Sequence, residues 1–357
     1  MADKEIYSRY VLGDMLVVFI KDNRSGSVGY TLLPKGYDER IDLDGWWSVE
    51  PAVQCKFVGD NYPDGFIHGH SMKNSQSSND MKFLGQRTEG MNGGIAEKDE
   101  PYRIITEYER RSVKISSVIE YGFNDKYIRT YSVFESEAAD KQTLEMASSF
   151  NICAFPCVGK GMRQKDLVLH RLKSKWSMEG KLESRGFLDM ELEPAWLRIG
   201  AASERFGEVG SMPVRRYFPW MVVTDQGGTG AGYSIGAQLY INSSWQMEVY
   251  NRDEKNSLSG GIADREFGHW MKELKPGERF VTPEAILTVG TGDIDEISYR
   301  MTSAQMVNLK DVPESEKDLP VIFNEYCTSW GNPDEKEMEA IAERLKGNVL
   351  SQRELAS

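Results

Sequence analysis

For nearly three hundred residues the apolar side chains of this chain come in short runs broken by Gly, Asn, Asp and Pro, and helical spacing becomes firm only in EKEMEAIAERLK (335–346). There Met338, Ile341, Ala342 and Leu345 fall at i, i+3, i+4 and i+7, one apolar stripe along a helix. Asn332 or Asp334 is placed to cap it, Pro333 suits its first turn and Gly347 ends it. A strand period over most of a chain and a helical period at its end call for two kinds of core, and so for a boundary between them.

The runs read as strands: MLVVFI (15–20), VGYTLLP (28–34), VQCKFVG (53–59), YRIITEYE (102–109), VKISSVIEYG (113–122), YIRTYSVFES (127–136), WMVVTDQ (220–226), AQLYINSSWQMEVYN (237–251) and EAILTVG (284–290). In YIRTYSVF, Ile128, Thr130, Ser132 and Phe134 face one way and Tyr127, Arg129, Tyr131 and Val133 the other, with one side wet. The count predicts a mainly β protein: one large, two-layer antiparallel sandwich over 1–309, with a division near SMPVRRYFPW (211–220) as the alternative. Helical spacing is weak in MTSAQMVNL (301–309), and KDVPESEKDLP is charged and proline-bearing, which predicts a linker over 310–318. From Leu319 an apolar strand and then the capped helix predict one β-α unit over 319–357.

The net charge of −12 repels phosphate backbones and anionic lipid, so neither nucleic acid nor a membrane is an expected partner. No stretch approaches the roughly 18–20 apolar residues of a membrane span, and MADKEIYSRY lacks the basic-then-apolar start of a signal peptide, which together predict a cytoplasmic protein. Cys55, Cys153, Cys157 and Cys327 are scattered and are expected as reduced, partly buried thiols.

Two stretches invite chemistry. HGHSMKNSQSSND (68–80) is the most polar, least strand-like part of the first third. His68 and His70 would point the same way on a strand, but two histidines without a third ligand do not make a metal site, and no metal or cofactor is expected. A loop offering His68, His70, Lys73 and Asn74 to a polar ligand fits better, with Lys73 and Asn74 as its strongest hydrogen-bonding groups. DQGGTGAGYSIG (225–236) suggests a phosphate loop, yet it lacks the Gly-Lys-Ser/Thr ending and a strand follows it, so a turn between two strands is expected. Eight tryptophans raise the question of sugar stacking, and most of them are expected in the core.

Three stretches supply a resemblance: AQLYINSSWQMEVYNR, then HWMKELKPGERFVTPEAILTVGTGDIDEISYRM, then DLPVIFNEYCTSWGNPDEK. Together they resemble glycoside hydrolase family 36, the α-galactosidases, in which L-x-P-G-E-x-F-x-T-P-E precedes a linker and the strand that opens a (β/α)8 barrel. Leu274 through Glu284 match the fixed positions of that element. The resemblance is strongest over 233–336. It implies an N-terminal β-supersandwich followed by the truncated start of the barrel, hydrolysis of terminal α-galactosides by the full-length family, an α-galactoside or other glycan as ligand, and homo-oligomers formed through the sandwich. It also implies that IHGHSMKNSQSS lies near the sugar site and that Tyr326 and Trp330 border it.

A barrel of this kind takes about 250 residues, and 39 remain after Asp318. Retaining glycosidases need two carboxyl groups about 5–5.5 Å apart, and the family's aspartate motifs do not occur after Asp318. No catalytic residue is assigned, and the chain by itself is expected to be inactive. The other expectation is a stand-alone carbohydrate-binding or oligomerisation sandwich without chemistry.

Overall fold

The computed structural model describes residues 3–63, 70–92, 95–96, 102–159, 162–194, 201–210, 212, 214–227, 232–308, 313–316 and 323–346. The chain divides into two compact units, Met1–Ala304 and Gln305–Ser357.

The first unit is built on two large sheets. One runs in the order Lys4–Leu12, Met15–Asp22, Val28–Pro34, Gln142–Phe155, Lys255–Ile262, Trp245–Arg252 and Ala201–Glu208, with Cys55–Phe57 and Lys272–Leu274 paired to the long strand Gln142–Phe155. The other runs Lys181–Gly186, Leu167–Lys173, Tyr217–Asp225, Ser234–Leu239, Ala285–Gly290, Ile128–Ser136, Val113–Tyr121, Tyr102–Arg110 and Lys82–Glu89, with Arg279–Val281 beside Ile128–Ser136. Strand pairs are antiparallel throughout both sheets except where Val28–Pro34 meets Gln142–Phe155, which pair in parallel at Tyr30 and Ile152. The fold is therefore mainly β, as the alternation predicts.

Side chains from both inner faces fill the space between the sheets: Phe19, Tyr30, Tyr102, Tyr108, Phe134, Phe150 and Trp245 are all essentially inaccessible. Burying an aromatic ring of this size contributes about 1.5–3 kcal/mol. Ile128, Thr130, Ser132 and Phe134 point inward as their alternation requires, but the opposite side is not the wet one expected: Tyr127 packs under the helix cluster and Val133 is buried beside Ile105 and Val118. The two inward hydroxyls are satisfied across the core, Ser132 Oγ donating to the Ser148 carbonyl (2.7 Å) and Thr130 Oγ1 to that of Ser149 (3.3 Å). The Tyr108 hydroxyl makes a third bridge, donating to the Val28 carbonyl (2.6 Å) and accepting from the Ala52 amide (3.1 Å). Polar groups at such depth need partners, and a core that supplies them fixes the sheets' relative register.

The helix Ile294–Asn308 begins seven residues before the weak pattern at Met301, and it covers the outer face of the second sheet through Ile297, Met301 and Ala304 against Trp220, Val222 and Ile286. Gly236 lies under it, where an added Cβ would stand 2.4 Å from Ile297 and 2.9 Å from Met301. A close helix-to-sheet approach therefore demands glycine.

In the second unit the described residues form a single turn at Glu314–Glu316, a short helix Tyr326–Ser329 and the helix Glu335–Leu345, whose N-cap is Asp334, its side chain accepting from the Glu337 amide (2.8 Å). Of the expected strand, residues 319–322 lie outside the described residues and Phe323 has no regular structure; most of the expected linker and Gly347 also lie outside them. No helix among the described residues is long and apolar enough to cross a membrane.

Candidate functional site

The polar stretch after His70 does not stay at the surface. Ser71, Met72, Lys73, Asn74, Ser75, Ser77 and Ser78 are all buried. Cys55–Phe57 uses one edge to pair with the long strand, and on its other edge serine side chains stand in for a neighbouring strand. The Ser78 hydroxyl accepts from the Cys55 amide (3.0 Å), that of Ser77 accepts from the Phe57 amide (2.8 Å), and Ser75 and Ser78 both donate to the Cys55 carbonyl (2.8 and 3.0 Å). The short helix Gln76–Asn79 is what holds two of these hydroxyls at strand spacing.

Asn74, in the left-handed conformation at φ 53°, turns its amide into the same interior. Its Nδ2 donates to Glu50 Oε1 (2.8 Å) and its backbone amide to Gln54 Oε1 (2.7 Å). The Lys73 ammonium spends its three protons on Glu50 Oε2 (2.8 Å), Asn151 Oδ1 (2.7 Å) and Ser257 Oγ (2.6 Å), with the Tyr250 ring 5.3 Å away. Ser257 Oγ also reaches Glu50 Oε1 (3.1 Å), so the carboxylate is surrounded by donors. Burial opposes ionisation of Glu50, and the Lys73 charge with the Asn74 and Ser257 hydrogen bonds outweighs it, holding the carboxyl below its ordinary value. Glu50, Lys73 and their partners form a closed ion-pair network.

Beside the network is a cavity of about 40 Å3 lined by Trp47, Glu50, Asn74, Arg252, Lys255 and Ser257, among others. A water needs about 10–15 Å3 by this measure, so two or three waters fit and a pyranose ring does not. Among the described residues, Glu50 is the only carboxylate in its lining.

Wider depressions are also found among the described residues, two of which bear on the chemistry. One, of about 420 Å3, is lined by His170, Thr224, Asp225, Ser234 and Asp293. Asp225 Oδ1 accepts from Arg163 Nη2 (2.6 Å) and from the Gly227 amide (3.0 Å), and burial pushes its carboxyl up. Asp293 Oδ1 accepts from the Asp295 amide (3.0 Å) at the start of the helix. Both His170 nitrogens are engaged, with Ser184 Oγ (2.7 Å) and Thr224 Oγ1 (3.0 Å), and burial lowers its pKa. The other, about 340 Å3, lies on the second sheet, where Glu89, Glu107 and Glu135 pair with Arg87, Lys114 and Arg279. Among the described residues, then, the carboxylates lining these pockets are ion-paired or capping, although Asp225 Oδ2 has no hydrogen-bond partner.

The residues singled out in the sequence part company here. Lys73 and Asn74 meet in the network, but face inward, which corrects the expectation that they offer their polar groups at the surface. His70 is exposed and its carbonyl accepts from Arg205 (2.9 Å); His68 lies outside the described residues. Tyr326 and Trp330 are exposed and meet edge to face at 6.5 Å in the second unit. Glu50, Asn151 and Ser257 went unnoticed because each sits in an ordinary strand or loop, with no motif to mark it. Among the described residues no group of three or more His, Cys, Asp or Glu is placed to hold a metal ion. Cys55, Cys153 and Cys157 are buried free thiols, whereas Cys327 is exposed, contrary to expectation. Residues 228–231 lie outside the described residues, and the strands that flank them pair antiparallel, Thr224 opposite Ser234, as a turn requires. Of the tryptophans, Trp47, Trp220 and Trp245 are buried, and Trp46, Trp176 and Trp330 are exposed.

The architecture defines a large two-sheet β-sandwich protein with a closed polar network between its elements. No family model matches the sequence, and no curated protein matches it in sequence. Solved structures do match. The GH36 α-galactosidase AgaB from Geobacillus stearothermophilus superposes with a TM-score of 0.65 at 12% identity, over 95% of this chain and 48% of that one. The α-galactosidase from Lactobacillus brevis gives 0.64 at 14% identity, over 94% and 46%, and the galactosidase domain of the α-galactosidase-sucrose kinase AgaSK gives 0.56 at 14%, over 82% and 41%. The chain therefore has a GH36-like fold, and it spans about half the length of the structures it matches.

Proposed function

We propose that this chain is the sandwich half of an α-galactosidase-like glycoside hydrolase and that it does not hydrolyse α-galactosides by itself. The observation that carries the reading is the superposition of 95% of the chain on 48% of a GH36 α-galactosidase. The chemistry of the pockets supports the second part. Retaining hydrolysis needs a nucleophilic carboxylate and a protonated acid about 5–5.5 Å apart, whereas the cavity beside Glu50 offers one carboxylate, already committed to Lys73. In this reading the sandwich is a scaffold, and His68, His70, Tyr326 and Trp330 are the positions nearest in kind to a sugar contact; of these His70, Tyr326 and Trp330 are exposed. The protein is cytoplasmic and self-associates through the sandwich, the latter checked by sedimentation.

The coding DNA downstream of Ser357 tests the reading. A frame that continues into a strand ending in paired aspartates, with a K-x-D motif further on, is the expected result. A downstream sequence without either contradicts it.

A second reading, a glycan-binding sandwich without chemistry, is favoured by Trp176, a residue 90% exposed on the turn between Leu167–Lys173 and Lys181–Gly186. Exposed indoles are stacking platforms. Calorimetric titration with galactose and raffinose at millimolar concentration checks it: heat that disappears in Trp176→Ala supports this reading, and no heat removes it.

A further inference from the structure

We propose that the cavity beside the Glu50–Lys73 network binds a small monovalent inorganic anion of chloride size, held between Arg252 and Lys255. These two residues stand directly opposite each other across the two-residue turn that joins Trp245–Arg252 to Lys255–Ile262. Like charges opposite each other in a strand pair repel, which disfavours the arrangement unless something negative lies between them.

The charge count at the cavity leaves room for that something. Glu50 and Lys73 neutralise each other. Arg252 and Lys255 then remain as the two cations of the lining, with no other carboxylate among its described residues; the carboxylates of the turn between them, Asp253 and Glu254, stand outside it. The Arg252 guanidinium has no hydrogen-bond or ion-pair partner among the described residues. Lys255 is 6% exposed and its ammonium donates to the Pro156 carbonyl (2.8 Å), the one acceptor it has among the described residues, although an ammonium carries three protons. The carboxylates that act on Lys255 from outside the lining are otherwise occupied: Glu254 accepts from the Trp46 amide (3.2 Å) and Asp42 from the Asp44 amide (3.0 Å). A buried cation short of acceptors is costly, and burial accordingly pushes the Lys255 ammonium below the ordinary lysine value.

Size selects the ligand. About 40 Å3 admits two or three water-sized atoms. A halide fits, while any sugar is too large. The Glu50 end does not repel the anion, since both carboxylate oxygens are covered by Lys73, Asn74 and Ser257.

The test follows the thermal midpoint of the purified chain as chloride or bromide replaces gluconate at constant ionic strength, because a ligand bound only by the native state raises the midpoint with its concentration. The midpoint is expected to climb with halide for the wild type and to stay flat for Arg252→Met and Lys255→Met. Equal midpoints in halide and gluconate overturn the proposal, as does a halide response in Arg252→Met equal to that of the wild type. Should the variants not fold, crystals of the unaltered chain grown in bromide decide: an anomalous peak between Arg252 and Lys255 supports the site, and water alone there overturns it.

Discussion

Lys73 and Glu50 matter to this molecule in proportion to their isolation from water. Each is buried, and each is the other's counter-charge at 2.8 Å. Removing one partner of such a pair strands the other, at a cost of about 3–5 kcal/mol, whereas replacing both with apolar groups restores much of the loss. Lys73→Met is therefore expected to lower the urea midpoint strongly, and Lys73→Met with Glu50→Leu to recover part of it. The pH dependence has a definite sign. The Glu50 pKa is lower in the native state than its unfolded value of about 4.3. Its contribution is thus fully present above that pH and is lost as pH falls through the native value. Urea midpoints measured from pH 6 downward should fall less steeply in Glu50→Gln than in the wild type. The sequence made Lys73 and Asn74 visible as strong hydrogen-bonding groups in a polar stretch. It could not show that they point inward, because Lys73 finds its partners 23, 78 and 184 residues away. A surface loop and a buried strut have the same composition.

At the scale of elements, two contacts of the helix Ile294–Asn308 can be tested separately. Gly236→Ala would press a methyl group into Ile297 and Met301, and overpacking of this kind costs about 1–3 kcal/mol; amide exchange in the helix should accelerate while the far sheet keeps its protection. The turn residue Asp14 holds the same helix through Arg300 (2.7 Å) and also accepts from Lys126 (2.9 Å). Burial opposes its ionisation, but Arg300 and Lys126 prevail and lower its carboxyl to about 2. That stability is present above the unfolded value of about 3.9 and disappears as pH falls toward 2. With the pair partly in solvent, Asp14→Asn should cost only about 1 kcal/mol at neutral pH, read from chemical denaturation. The helix was half legible, since its buried stripe of Ile297, Met301 and Ala304 is narrow and its first turn is acidic. Glu335–Leu345 was far plainer, with a wide apolar face and the Asp334 cap. Strands such as Ile128–Ser136 were legible from alternation, because a half-buried sheet face imposes a period of two directly on the sequence. The serine hydroxyls that replace a strand beside Cys55–Phe57 impose no period and were missed.

At the scale of the whole molecule, two large sheets and the helix against them reproduce the architecture of about half a GH36 α-galactosidase at 12–14% identity. So low an identity is enough for a fold, since sandwich cores ask only for apolar side chains of suitable volume on alternating positions. It is not enough for chemistry, which depends on particular acids at particular distances. Among the described residues, the carboxylates of the pockets are paired with cations or spent on backbone amides, so the chain is expected to leave α-galactosides intact. Hydrolysis of an aryl α-galactoside by the purified 357-residue chain tests it most directly. Release of the aryl alcohol at the rate seen in buffer is the predicted result; turnover above that rate, persisting through repurification, would contradict it.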